Sequence, residues 1–208
     1  ETTERELETL LSELRATLDS AADGMLVCGL DRRVRAFNQR LAQLWNLPRQ
    51  LLVERDDAAV YAFMADQVSD PRFYAERLAA IDREPMQEST DIVELRNGVV
   101  LEMRTVPQFS QGRAVGRVYS FRDITRQTET QASLRLAARV FESSLDAIFI
   151  ADSQHRIMRM NPGCERLVGP TAKGFEGCVA ASLFGGGSDA SFMEQVLQGW
   201  AKDGFCEG

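Results

Sequence analysis

The sequence predicts an α+β protein in which one small domain is written twice, the first copy complete with five antiparallel strands and flanking helices, the second cut short. Three observations carry this. Shifted against itself by 123 positions, the chain falls into register without a gap: residues 141–150 lie over residues 18–27, and Asn161 over Asn38. Ser20/Ser143, Asp23/Asp146, Arg33/Arg156, Asn38/Asn161 and Leu44/Leu167 are identical pairs. Each copy is preceded by an amphipathic helix, and the first copy closes on three strands joined by short turns. A period this long exceeds the roughly 20 to 50 residues of solenoid or propeller units, so the repeated object is a whole domain.

The first helix, residues 1–20, places Leu7, Leu11, Leu14 and Leu18 at alternating steps of four and three, the seam spacing of a coiled coil. Leu10 widens that stripe; packing on its own domain and pairing with a second copy explain it equally. Residues 126–143 form the second helix, with Leu134, Ala137 and Phe141 over Leu11, Leu14 and Leu18, so both helices enter their copies in the same rotational phase.

Next come Met25-Leu26-Val27-Cys28 and Val34-Arg35-Ala36-Phe37, apolar runs separated by Leu30-Asp31-Arg32-Arg33, which predict a β-hairpin. Asn38 caps a helix through Leu41, Leu44 and Trp45 that Pro48 closes. Residues 56–68 and 70–83 predict two more helices, the second opened by the Asp70-Pro71 cap and first-turn proline. The pattern then turns to strands. Residues 91–96 meet residues 99–106 across Asn97-Gly98, the strongest short hairpin signal, and Ser110-Gln111-Gly112 turns into a third strand over 114–122 that ends at Asp123-Ile124-Thr125.

Composition limits the function classes. With 44% hydrophobic and 26% charged residues the chain suits soluble globular domains. No apolar run reaches the ~18 residues of a spanning helix, which argues against membrane contact within the segment. A net charge of −7 without a basic stripe argues against nucleic acid as a partner. Cys28, Cys164, Cys178 and Cys206 stand apart, as reduced thiols of a cytoplasmic protein do.

In this order the motifs resemble PAS sensory modules of bacterial signalling proteins. Residues 18–25 (Leu-Asp-Ser-Ala-Ala-Asp-Gly-Met) look like the family's opening. Residues 116–125, ending in Asp123-Ile124-Thr125, look like its closing strand. Leu44-Trp45-Asn46-Leu47-Pro48 and Asp70-Pro71-Arg72-Phe73 resemble modules found ahead of diguanylate cyclase, phosphodiesterase and histidine kinase domains. Asn161 to Gly169 resembles the N-x-x-x-E-x-L-x-G helix. The resemblance divides the chain into a leading helix (1–20), a first PAS domain (21–125), a linker helix (126–143) and an incomplete second PAS domain (144–208), whose third strand would begin near Trp200 to Cys206. It implies a cytoplasmic sensor that dimerises through Leu7, Leu11, Leu14 and Leu18 and relays a signal to an output domain in the same polypeptide, by cyclic-di-GMP turnover or kinase activity. The alternative is a ligand-free PAS dimerisation scaffold.

Strand alternation and the resemblance together nominate a pocket lined by Val93, Leu95, Leu101, Met103, Tyr119 and Phe121, almost wholly apolar and suited either to core packing or to a small apolar ligand. Asp123 and Thr125 are expected to relay strain into the linker helix, with Thr125 capping it. The first copy has no histidine, which excludes histidine-ligated haem there, and Met64 or Cys28 would be an unusual sole ligand. His155, the chain's one histidine, falls in a hairpin turn opposite Arg32. Neither copy carries the Asn-Cys-Arg segment of covalent flavin binders, so no cofactor is assigned. With one turn histidine there is little scope for a catalytic triad, and Gly185-Gly186-Gly187-Ser188 lacks the lysine of a phosphate loop, so the segment is expected to be non-catalytic.

Overall fold

The computed structural model describes residues 2–54, 56–169 and 172–184. It divides into two units, Glu1–Thr130 and Gln131–Gly208. The first contains helix α1 (Thr2–Asp19), strands β1 (Gly24–Gly29) and β2 (Val34–Phe37), helices α2 (Gln39–Leu44), α3 (Arg49–Glu54), α4 (Asp57–Gln67) and α5 (Pro71–Arg83), and strands β3 (Ser89–Glu94), β4 (Val100–Ser110) and β5 (Arg113–Asp123). Helix α6 (Thr125–Ser143) follows, then β6 (Phe149–Ala151), β7 (Ile157–Met160) and α7 (Pro162–Val168), with two short 3-10 turns after it. The Gly185–Ser188 motif and the expected third strand of the second copy lie outside the described residues.

Local chemistry accounts for most boundaries. Asn38, Asp56 and Asp70 each accept a hydrogen bond from the backbone N–H three residues on, which opens α2, α4 and α5. Helix α3, which the sequence reading passes over, fills the interval after Pro48. The β3–β4 hairpin closes at Leu95 and Val99, with Gly98 at φ +86° and its N–H donating to Leu95. The loop between those residues is three long, and only its last residue is left-handed. At the β1–β2 turn the left-handed position is Arg32, at φ +63°.

The strands form one antiparallel sheet in the order β2-β1-β5-β4-β3. Its inner face carries Leu26, Cys28, Val93, Leu95, Leu101, Met103, Tyr119 and Phe121, packed against Trp45, Val60, Met64, Tyr74 and Ile81 from the helices. The Trp45 ring meets Phe121 edge-on at 5.3 Å and lies 6.1 Å from Tyr74. The end of α4 is stitched to the end of β3 by Ser69 N–H to Glu94 O and Arg96 N–H to Gln67 O, both 2.8 Å. Arg77 of α5 forks onto Asp91 of β3 at 2.6 and 3.1 Å.

Helix α1 leaves part of its leucine stripe uncovered. Leu10 is 56% and Leu14 62% exposed, and Leu18 is half-buried at the helix end; the side chains of Leu7 and Leu11 lie outside the described residues. On α6, likewise, Leu134, Leu136 and Val140 are exposed.

The second unit repeats the opening of the first in detail. β6 pairs with β7 through Phe149↔Met160, Ile150↔Arg159 and Ala151↔Ile157, with an irregularity before Ala151. Subtracting 123 gives the β1–β2 pairs Leu26↔Phe37, Val27↔Ala36 and Cys28↔Val34, irregularity included. His155 occupies the left-handed turn position at φ +59°, where Arg32 stands in the first copy.

Candidate functional site

Three residues of β5 alternate inward: Arg117, Tyr119 and Phe121 are buried, while Val118 and Ser120 are only half-buried. Across the ladder Cys28 pairs with Arg117 and Leu26 with Tyr119, so β1 and β5 supply a continuous floor. Above it α4 contributes Tyr61 and Met64, three residues apart, and α5 contributes Tyr74, Leu78 and Asp82, four apart on one helix face. Between floor and roof lies a cavity of about 200 Å³, rimmed by the β1–β2 turn and by Pro85.

Of the expected pocket residues, the structure brings Tyr119 and Phe121 to the cavity. Val93, Leu95, Leu101 and Met103 are buried in the core but do not line it. They belong to the β3–β4 side of the sheet, where the stitches from α4 and the Arg77–Asp91 fork draw the helices down. The expectation of an almost wholly apolar lining is also corrected, because alternation along β5 puts Arg117 on the same face as Tyr119 and Phe121. Extending the two-residue step one position back would have found it. Tyr61, Tyr74 and Asp82 had no such local signal; their helices had to be docked first.

The polar groups differ in how they are satisfied. Tyr61 donates its hydroxyl to Arg32 O at 3.0 Å and meets the Cys28 thiol at 2.8 Å, while the Arg32 guanidinium stands 5.5 Å over the Tyr61 ring. Arg32 also reaches Asp82 at 3.4 Å, a half-exposed pair at the rim whose contribution to stability is small. Arg117, 4% exposed, donates to Thr105 Oγ1 at 3.1 Å, to Glu84 O at 3.3 Å, to Pro85 O at 2.7 Å and, by a short bond, to Gln87 O. The hydroxyls of Tyr74 and Tyr119 have no hydrogen-bond partner among the described residues. Burial pushes the Cys28 thiol and the hydroxyls of Tyr61, Tyr74 and Tyr119 upward, so all four are neutral at physiological pH. A thiol held protonated is a poor nucleophile. The cavity is equipped to hydrogen-bond and pack rather than to attack.

β5 leaves the cavity and ends at the corner expected to relay a signal. Asp123 accepts from the Thr125 N–H at 3.0 Å and from its hydroxyl at 2.6 Å, which holds the Asp123 carboxyl below the usual carboxylate range. Thr125 does not cap α6 as anticipated. Its hydroxyl oxygen instead accepts from the Val100 N–H at 3.0 Å, and Ile124 N–H donates to Val100 O at 2.9 Å. The corner is therefore tied to the start of β4, a partner 25 residues away that no local reading supplies.

A second construction joins each leading helix to its copy. Asn38, fully buried, donates to Leu18 O and Asp23 O and accepts from the N–H groups of Met25 and Leu41. Asn161 donates to Phe141 O and Asp146 O and accepts from Ile148 and Cys164. All four partners correspond under the 123-residue shift.

Among the described residues no group of three or more His, Cys, Asp or Glu could hold a metal, and no helix is long and apolar enough to cross a membrane. A family model described as "PAS fold" matches residues 18–132, and a second, described as "PAS domain", matches residues 135–197. No curated protein matches. Among solved structures, the sensor region of a sensor histidine kinase is similar at 20% identity over 52% of this chain and 41% of that one, TM-score 0.39, so the match spans under half of that protein's length. The PAS domain of Bordetella pertussis BvgS is 15% identical over 63% of this chain and 98% of its own, TM-score 0.42. An RNA-binding light-oxygen-voltage receptor is 14% identical over 63% and 38%, TM-score 0.50, a likeness of fold alone.

Proposed function

Because this chain belongs to the PAS family and carries two copies of its sensory module, we propose that the first copy holds a small molecule in the cavity over β1 and β5 and passes its occupancy through the β5–α6 corner. The observation that carries this reading is the cavity itself, about 200 Å³ beneath α4 and α5, with two tyrosine hydroxyls that no group among the described residues meets. Three cavity residues stand on the strand that ends at Asp123, so a shift of β5 reaches α6 through the Asp123–Thr125–Val100 bonds. No cofactor is assigned; the ligand is a free small molecule held without a covalent link.

The receiving end is an output domain of the same polypeptide, a cyclic-di-GMP enzyme or a kinase, in a cytoplasmic bacterial protein. Two copies of the chain pair through Leu7, Leu11, Leu14 and Leu18. The exposure of Leu14, with Leu10 beside it, supports that seam. It equally favours the second reading, a scaffold that dimerises and senses nothing.

Native mass spectrometry of the purified chain separates the two. A co-purified small molecule bound to the first module supports sensing; a ligand-free dimer, whose response in the full-length protein survives Asp123→Ala, supports the scaffold. Leu10→Glu with Leu14→Glu is expected to yield monomers by light scattering with the first module still folded.

A further inference from the structure

We propose that the ligand of the first module's cavity is the carboxylate of a single aromatic ring, an anion of the benzoate class, held by Arg117, Tyr74 and Tyr119. This rests on the reading of the cavity as a ligand site and adds the ligand's charge and size.

The charge follows from Arg117. Its guanidinium is buried, yet among the described residues it makes no ion pair; its acceptors are the Thr105 hydroxyl and the carbonyls of Glu84, Pro85 and Gln87. A buried cation that meets only neutral acceptors is costly, and an anion brought beside it offsets that cost. The other charges on the lining, Arg32 and Asp82, face one another at the rim. The cavity is therefore left with one positive charge in excess. Of the guanidinium N–H groups, Nε is engaged once and Nη1 twice, while Nη2 donates once and has a second N–H over.

On the cavity lining, the hydroxyls of Tyr74 and Tyr119 have no hydrogen-bond partner among the described residues. Tyr119 stands two residues from Arg117 on the inner face of β5, and Tyr74 lines the same cavity from α5. Tyr61 is not available, since its hydroxyl already donates to Arg32 O. Three donors, one of them cationic, match the acceptor capacity of a carboxylate.

The size follows from the volume. A buried apolar cavity of about 150 Å³ accepts a benzene ring. The 200 Å³ here takes a ring with one polar substituent, flanked by Tyr61, Phe121 and the Met64 thioether, all of which favour contact with an aromatic face or edge.

The test is calorimetric titration of the purified chain with benzoate and with benzamide, its neutral counterpart of the same shape. Benzoate is expected to bind about tenfold tighter or more, and Arg117→Gln to erase that preference. Tyr119→Phe, which keeps the ring, is expected to weaken benzoate several-fold; it decides the matter should the arginine variant not fold, since unchanged benzoate affinity there overturns the proposal. Equal affinities for the two probes would overturn the anionic assignment while leaving the cavity as a ligand site. Binding of neither would overturn it too, and the co-purified ligand would then judge the wider reading on its own.

Discussion

The two copies agree where the leading helix meets the sheet and diverge where the cavity lies. Asn38 and Asn161 make the same four hydrogen bonds, the hairpins share register and irregularity, and the turns share a left-handed residue. By contrast, the cavity residues Leu26, Cys28, Leu30 and Arg32 correspond to Phe149, Ala151, Ser153 and His155. The retained parts are backbone joints, whose hydrogen bonds demand one side-chain shape. The changed parts face the space where a ligand would lie, and there the neighbours set the requirement. The duplication thus kept the backbone joints and let the residues of the cavity lining change.

The sharpest way to break this comparison is to remove both asparagines. Asn38→Ala takes the side-chain partner from the N–H groups of Met25 and Leu41 and from the Asp23 carbonyl, while Leu18 O keeps the Ala21 N–H, and is expected to cost about 3 to 5 kcal/mol in urea unfolding. Asn161→Ala should speed amide exchange at Ile148 and Cys164. If only the first substitution has an effect, the correspondence is one of shape and not of energy.

Next in size, Phe121→Ala removes a ring packed edge-on to Trp45 and is expected to cost about 3 kcal/mol in the first copy. A loss under about 1 kcal/mol would mean that the inner face of β5 is not the keystone of that copy. The amide exchange of Ile148 should be untouched by it.

The smallest effect belongs to Asp123→Asn, about 1 kcal/mol near neutral pH. Because the folded carboxyl titrates below its ordinary value of 3.8, its contribution is full above that range and is lost as pH falls through the lowered value. Melting curves of the two proteins should therefore be separate at pH 6 and draw together below about pH 3.8. Separation that persists in acid would assign the effect to packing.

What the sequence made legible was chemistry confined to a few neighbouring residues. The Asn38 and Asp70 caps and the Gly98 turn depend on groups within one turn of chain, and the placing of His155 opposite Arg32 on the gapless 123-residue register. The chain was also legible as two PAS copies, because the motifs keep their order. The role of Thr125 is hidden from a local reading because its partner Val100 belongs to another strand. Arg117 lies one two-residue step beyond the Tyr119–Phe121 pair, and its charge gives no local sign of burial. Four of the six expected pocket residues lie on the β3–β4 side, away from the cavity, because alternation gives the face of a strand but says nothing of where the helices close upon it.

The asparagine joint also bears on the order in which the chain assembles. Its side-chain partners lie 20, 15, 13 and 3 residues from Asn38, whereas the Arg122–Asp23 pair that joins the last strand to the first spans 99. Short loops close at lower entropic cost and sooner, so the helix end, first strand and cap can gather as one local nucleus before the sheet exists. The same separations recur around Asn161. As the chain emerges from the ribosome, the first copy can therefore fix the angle of its incoming helix while β3, β4 and β5 are still unmade.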